Sequence, residues 1–182
     1  MILNFLPNLL TIIRLCLTLP IVWAIIGQQL VLAISLFTLA ALSDGLDGYL
    51  ARRFHWQSYL GSVLDPIADK VLLIAVFITL STVQYCPVWL TSLVIGRDLL
   101  IVCGAALFRW RVGPYDFQPT LMGKVCTFFQ LGLVLVVLVH QWLGLNFLLQ
   151  TSLLLTAFFT IVSGLQYVLE WGGKWLEAYR RQ

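Results

Sequence analysis

Apolar residues fill this chain in stretches of about twenty, separated by short polar interruptions. Six such stretches stand out, at about 8–26, 30–53, 62–80, 88–108, 121–139 and 148–169. A helix needs roughly 20 mostly apolar residues to cross a bilayer core about 30 Å thick. The pattern therefore predicts an all-α integral membrane protein with six transmembrane helices. The connections are short, so successive helices are expected to be antiparallel neighbours, and residues 1–182 form a single membrane domain. Neither an internal repeat nor a low-complexity segment is visible. The two ends read as short interfacial segments. "MILNFLP" is apolar and is set off by Pro7, and "EWGGKWLEAYRRQ" mixes Trp171, Trp175 and Tyr179 with Lys174, Arg180 and Arg181.

Composition strengthens this reading. Of 182 residues, 60% are apolar and 10% charged, against about 25% charged in soluble domains; mean hydropathy is +0.94. The net charge of +3 is small and its basic residues form no run, so nucleic acid is not an expected partner. The start of the chain lacks a basic region and a small-residue cleavage site, so the first helix is expected to be retained. Cys16, Cys86, Cys103 and Cys126 fit no CxxC pattern, which predicts neither a disulfide framework nor a zinc site. The connections near 27–29, 81–87 and 141–147 contain no Lys or Arg. Arg52, Arg53, Arg109, Arg111, Lys124, Lys174, Arg180 and Arg181 lie at or near the other side. By the positive-inside rule both termini are expected in the cytoplasm.

Against this apolar background, "SDGLDGYLARRFHWQSYLGSVLDPIADK" carries four of the eight acidic residues. Asp44 and Asp47 are spaced i, i+3 near the inner end of the second helix. Asp65 and Asp69 are spaced i, i+4 near the inner start of the third. Each pair shares a helix face, and a short loop between the helices lets all four converge at the cytoplasmic end of the bundle. Like charges and burial both oppose ionisation of such a cluster. A divalent cation is the usual compensation, and hard oxygen donors suit Mg²⁺, Mn²⁺ or Ca²⁺. Gly45 and Gly48 directly follow Asp44 and Asp47. Each costs a helix interior about 1 kcal/mol relative to Ala, which fits close approach of a ligand or of a neighbouring helix.

The run Asp44-Gly-Leu-Asp47-Gly-Tyr-Leu-Ala-Arg52, eight residues, then Gly61-Ser-Val-Leu-Asp65-Pro-Ile-Ala-Asp69 resembles the signature of the CDP-alcohol phosphatidyltransferases. All nine fixed positions match at the family's spacing. The resemblance implies a six-helix membrane enzyme, usually homodimeric. Such an enzyme transfers a phosphatidyl group from CDP-diacylglycerol to an alcohol and releases CMP. It further implies that Asp44, Asp47 and Asp65 ligate divalent ions, two Mg²⁺ or Mn²⁺. By the same resemblance Asp69 acts as general base on the acceptor hydroxyl and is also counted among the metal ligands. Gly48 and Arg52 belong to the CDP-binding wall, joined by Asn8 and Thr11 near the inner end of the first helix. Arg14 on that helix is expected to face the bundle, because a cation facing lipid is costly. A bacterial inner membrane is the expected location.

The acceptor rests on two more stretches. "IGRDLL" places Arg97 and Asp98 in the fourth helix, and "QPTLMGKV" places Lys124 at the start of the fifth. Both resemble segments of two branches of the family, the phosphatidylglycerophosphate synthases and the cardiolipin synthases. The former typically carry Arg-Glu in the fourth helix and a second Arg eight residues on. Here Asp98 follows Arg97 and position 105 is Ala105. Arg97 and Lys124 are thus expected to bind the single phosphodiester charge of phosphatidylglycerol, with glycerol-3-phosphate as the alternative acceptor. An Arg97–Asp98 ion pair without a substrate role is a further reading, disfavoured because adjacent residues face different ways on a helix. An ion-coupled transporter is the rival of another class, since intramembrane carboxylates also mark ion paths. The acids cluster at one face and do not cross the bilayer, which argues against it.

Overall fold

The computed structural model describes the backbone of residues 6–54, 59–111 and 120–180, and side chains over 12–43, 67–107 and 120–170. Within these, the fold is all-helical: α1 (Leu6–Ile26), α2 (Leu30–Phe54), α3 (Tyr59–Thr82), α4 (Val88–Arg111), α5 (Leu121–Leu143) and α6 (Asn146–Arg180). Each predicted span has its helix.

The ends of the helices follow local chemistry. Pro7 lies inside α1, at its second residue, rather than setting off a separate segment. A proline is tolerated in a first turn, whose N–H groups have no intrahelical acceptor. Residues 1–5 lie outside the described residues. At the other end, α6 runs unbroken through "EWGGKWLEAYR" to Arg180, so the expected interfacial tail is continuous with the sixth span. α1 stops at Ile26, where the predicted apolar stretch ends. Past it, Gln28 takes the left-handed conformation (φ 56°), while the Gly27 and Gln29 amides donate to the Trp23 and Ala24 carbonyls, both at 2.8 Å. This is the hydrogen-bonding of a helix C-cap. Gln84 (φ 62°) and Gly144 (φ 67°) occupy left-handed positions just after α3 and α5.

The chain divides into two compact units, Met1–Cys86 with Val134–Asn146, and Pro87–Leu133 with Phe147–Gln182. In the first, α1 packs against both α2 and α3. Its core is apolar, with Ile21, Ala24 and Ile25 on α1, Ala33, Phe37 and Ala40 on α2, and Leu72, Val76 and Leu80 on α3. The 33, 37, 40 and 72, 76, 80 spacings are the helical period.

The second unit buries a polar seam. Thr156, Thr160 and Ser163 on α6 and Cys126 and Gln130 on α5 are all inside. Thr156 Oγ1 donates to the Phe129 carbonyl at 3.2 Å, Cys126 Sγ lies 3.5 Å from Thr160 Oγ1, and Phe129 stacks on Phe159 with centroids 4.4 Å apart. Small and hydroxyl-bearing residues bring helices together in lipid, where burial of apolar surface supplies little drive.

Val88–Leu107, Leu121–Leu143 and Asn146–Glu170 are long and apolar enough to cross a membrane, and Ile12–Ile26 and Leu30–Ser43 are shorter apolar stretches of the same character. Only 22–33% of the three long spans is buried, and residues such as Leu19, Phe128, Leu154 and Leu169 stand fully outward. These faces suit hydrocarbon, not water. Hydroxyls on such helices are satisfied locally: Ser35, Thr82 and Thr151 each donate to the carbonyl four residues back. Trp89 and Trp142 are exposed at helix ends, as an aromatic belt requires.

Candidate functional site

Asp44 and Asp47 lie in α2, ten and seven residues before its end at Phe54. Asp65 and Asp69 lie in α3, six and ten residues after its start at Tyr59. At 1.5 Å of rise per residue, Asp44 and Asp69 are each about 15 Å from the α2–α3 connection, and Asp47 and Asp65 each about 10 Å. The connection spans residues 55–58, so it holds the helix ends within about 18 Å. Both helices pack on α1. The four acids thus occur at two matched depths. The side chains of Asp44, Asp47, Asp65, Gly48, Arg52, Asn8 and Thr11 lie outside the described residues.

Asp69 is described, and one of its partners is Arg14. The Arg14 guanidinium donates from Nη1 to Asp69 Oδ1 across α1 and α3. Arg14 is 2% exposed and the Asp69 side chain 36%. The cation is therefore inside the bundle while its carboxylate reaches the surface of the unit. Thr18 Oγ1 donates to the Arg14 carbonyl at 3.0 Å, so the turn that carries Arg14 is itself tied. Arg14 was expected to face inward. Its pairing with Asp69 was not foreseen, although a lone Arg in an apolar helix signals a buried carboxylate partner.

Arg97 organises the second unit. It lies on α4, with Nη1 2.8 Å from Asp98 Oδ1 and Nη2 donating to Ser163 Oγ of α6 at 2.5 Å. Its guanidinium carbon stands 5.6 Å from the Tyr167 ring centroid, a cation–π distance. Both ionic side chains are buried, at 6% and 3% exposure. The neighbouring-residue ion pair disfavoured from sequence is thus formed, because the long guanidinium stem bends back to reach the adjacent carboxylate.

Glycines make room for this arrangement. A Cβ on Gly123 would stand 3.4 Å from Arg97 Nη2, 3.6 Å from the Tyr167 hydroxyl and 3.2 Å from Thr120 Oγ1. Thr120 caps α5, its Oγ1 accepting from the Gly123 amide at 3.1 Å, the usual N-cap bond to the third helical residue. Lys124 follows in the first turn of α5 and is exposed. Ser163, Tyr167, Gly123 and Thr120 were missed from sequence. Thr120 alone carried a signal, a Thr immediately before an apolar run.

Among the described residues no three His, Cys, Asp or Glu side chains form a metal-binding group, and three of the four candidate ligands lie outside those residues. The donor set is nonetheless the right one for a hard divalent cation: carboxylates only, at matched depths on two helices joined by a short connection. The residues fit such an ion.

A family profile described as CDP-alcohol phosphatidyltransferase matches residues 4–163. Curated relatives include a Homo sapiens protein named cardiolipin synthase (CMP-forming). It is 32% identical over 179 residues, covering 88% of this chain and 60% of the relative. A Pseudomonas fluorescens protein named CDP-diacylglycerol–glycerol-3-phosphate 3-phosphatidyltransferase is 34% identical over 146 residues, covering 71% of this chain and 70% of the relative. A Streptomyces coelicolor protein named cardiolipin synthase (CMP-forming) is 31% identical over 128 residues, covering 67% and 59%. The match spans 60%, 48% and 24% of three of the eukaryotic relatives named as cardiolipin synthases or their fusions.

Proposed function

The chain belongs to the CDP-alcohol phosphatidyltransferase family, and on that premise we propose that it transfers a phosphatidyl group from CDP-diacylglycerol to an alcohol, releasing CMP. The observation that carries this reading is the matched depth of Asp44, Asp47, Asp65 and Asp69 on α2 and α3, with Asp69 held by Arg14.

Asp69 takes the proton from the acceptor hydroxyl. The hydroxyl oxygen forms the new bond to the phosphatidyl phosphorus, the anhydride P–O bond breaks, and CMP leaves with the bonding pair. A base at hydrogen-bond reach of the hydroxyl contributes typically 10²–10⁴-fold. Arg14 touches no substrate in this scheme and acts as a positioning residue that fixes where the Asp69 carboxylate stands. Asp44, Asp47, Asp65 and Asp69 would hold Mg²⁺ or Mn²⁺, two ions in all, and a bound ion neutralises the diphosphate and polarises the attacked phosphorus. Gly48, Arg52, Asn8 and Thr11 form the CDP wall.

Phosphatidylglycerol is the acceptor, which makes the product cardiolipin. Arg97 already has its charge matched by Asp98, and Ala105 supplies no second cation. Lys124 is then the one exposed cation among the described residues of its unit. A single cation suits a phosphodiester, with one negative charge, better than a phosphomonoester with nearly two. The relatives named cardiolipin synthase point the same way. Glycerol-3-phosphate is the second reading, favoured by the Pseudomonas fluorescens relative, of which the match covers 70%. Family membership leaves the transporter reading without support.

The absence of Lys and Arg from the 27–29, 81–87 and 141–147 connections supports an inner-membrane protein with cytoplasmic termini and site. The homodimer is carried over from the family resemblance. The test uses purified protein, Mg²⁺ or Mn²⁺, and labelled CDP-diacylglycerol, with glycerol-3-phosphate and phosphatidylglycerol in separate tubes. Cardiolipin in the second tube alone is expected. Phosphatidylglycerophosphate in the first overturns the choice of acceptor, and no CMP release with any alcohol overturns the transferase reading.

A further inference from the structure

Between α4 and α6 lies a groove of about 430 Å³, within the usual range of ligand pockets. Leu100, Cys103 and Leu107 of α4 line it, with Tyr167 and Val168 of α6. The stretch from Leu100 to Leu107 covers about 11 Å of helix. Leu100, Leu107 and Val168 are 44%, 53% and 49% exposed, so the groove opens sideways, where the spans meet hydrocarbon. Tyr167 supplies the only side-chain oxygen or nitrogen among the lining residues.

The two ends of the groove differ. At the deep end, near the middle of α4, the Arg97 guanidinium stands 5.6 Å from the Tyr167 ring centroid. Arg97 is buried and its charge is matched by Asp98, so this end offers no exposed charge to a headgroup. From there the groove runs along α4 and α6 toward their C-terminal ends, the cytoplasmic ends in the orientation proposed above. Both helices continue past it without a break, α4 to Arg111 and α6 to Arg180. At 3.6 residues per turn, positions 100, 107 and 111 fall on one face of α4, and position 174 lies two turns past Tyr167 on the same face of α6. Arg111 and Lys174 thus continue the two walls, about 6 Å past Leu107 and about 9 Å past Val168. The apolar stretches of the two helices end near 108 and 169, so both basic positions stand where the spans leave hydrocarbon. Basic residues at that level attract anionic headgroups. An apolar slot that rises to two basic positions at the membrane surface is complementary to an anionic phospholipid, its chain pointing to the bilayer centre.

We propose that this groove binds one anionic phospholipid of the cytoplasmic leaflet as a resident lipid. An acyl chain lies along Leu100, Leu107 and Val168, and the phosphate stands level with Arg111 and Lys174. The walls of the groove carry none of the four candidate acids, which all lie on α2 and α3, so the lipid is held and not turned over.

The test uses phosphatidic acid with a diazirine on its acyl chain, added to the full-length protein in detergent. This lipid is anionic and has no headgroup alcohol, so it cannot serve as an acceptor. Crosslinks to the 100–107 and 167–168 peptides are expected. Unlabelled phosphatidic acid should compete at about tenfold lower concentration than phosphatidylcholine, equivalent to about 1.4 kcal/mol, within the attraction that two basic residues exert on anionic lipid. Arg111→Gln combined with Lys174→Gln should abolish that preference. Leu107→Trp, which narrows the groove and keeps both charges, should remove the crosslinks. The wild-type competition decides by itself: equal competition by phosphatidylcholine makes the groove an ordinary lipid-facing surface and ends the proposal. A preference that survives loss of both charges overturns the placement of the phosphate. Competition by CDP-diacylglycerol near its KM makes the groove part of the substrate site and overturns the resident lipid.

Discussion

The Arg14 guanidinium on α1 bonds the Asp69 carboxylate on α3, a pairing across 55 residues of sequence. The asymmetry matters: the cation is buried and the carboxylate is a third exposed. The Arg14 cation is buried, so it fixes where the part-exposed Asp69 carboxylate stands. Asp69→Asn keeps the shape but removes the base, and turnover is expected to fall at least about 100-fold while CDP-diacylglycerol binding persists. Equal loss of donor binding would make Asp69 chiefly a metal ligand. Arg14→Ala should lower kcat about tenfold or more, the scale of outer-shell orienting groups, with donor KM little changed and partial recovery in Arg14→Lys. A variant with normal kcat would show that Asp69 is placed without Arg14.

The Arg97–Asp98 pair is a stability determinant first. Asp98→Ala leaves a guanidinium that is buried without its carboxylate, and breaking a buried pair costs about 3–5 kcal/mol. A clear loss of melting temperature in detergent is expected. Arg97→Met combined with Asp98→Leu removes both charges, and such replacements are often neutral, so most of the lost stability should return. The stable double variant also isolates function. If its acceptor KM matches that of the wild type, Arg97 is a structural residue and leaves the acceptor pocket to Lys124.

The spans were legible because each is a run of apolar residues near twenty long, a signal that depends on no tertiary contact. The candidate acids stand out for a related reason: four carboxylates are conspicuous where nearly everything else is apolar. What resisted was pairing. The Arg97–Asp98 pair is disfavoured from sequence because adjacent residues point apart on a helix, yet the length of the Arg97 side chain lets the guanidinium fold back to Asp98. Tyr167 and Ser163 belong to the same cluster through α6, and no local pattern says which turn of α6 will lie beside α4. The α1 terminus shows the same limit at small scale: the end at Ile26 is legible, but not that Gln28 rather than Gly27 holds the left-handed position.

Lys124 stands exposed in the first turn of α5, beside the Arg97 corner but outside its ion pair. Lys124→Ala is expected to raise the acceptor KM about tenfold, the effect of one charge-assisted phosphate contact at the low end of about 1.5–3 kcal/mol, with donor KM nearly constant. Lys124→Arg should retain most of the affinity, since charge and not a particular donor geometry is needed. A shift in donor KM instead would place Lys124 against the CDP moiety.

The acids on α2 and α3 make a prediction about metal that does not depend on which alcohol is used. Carboxylates at matched depths repel one another, and a divalent ion removes that repulsion. Chelation with EDTA is therefore expected to stop CMP release, and Mn²⁺ or Mg²⁺ to restore it. Binding supplies a second measurement. Titration calorimetry with Mn²⁺ should show heat in the wild type and little in Asp44→Asn or Asp65→Asn. An ion held by these acids binds the folded state, so Mn²⁺ should also raise the melting temperature of the wild type but not of those variants. Full turnover in EDTA, or equal Mn²⁺ heats in all three proteins, would show that these acids serve some role other than holding metal.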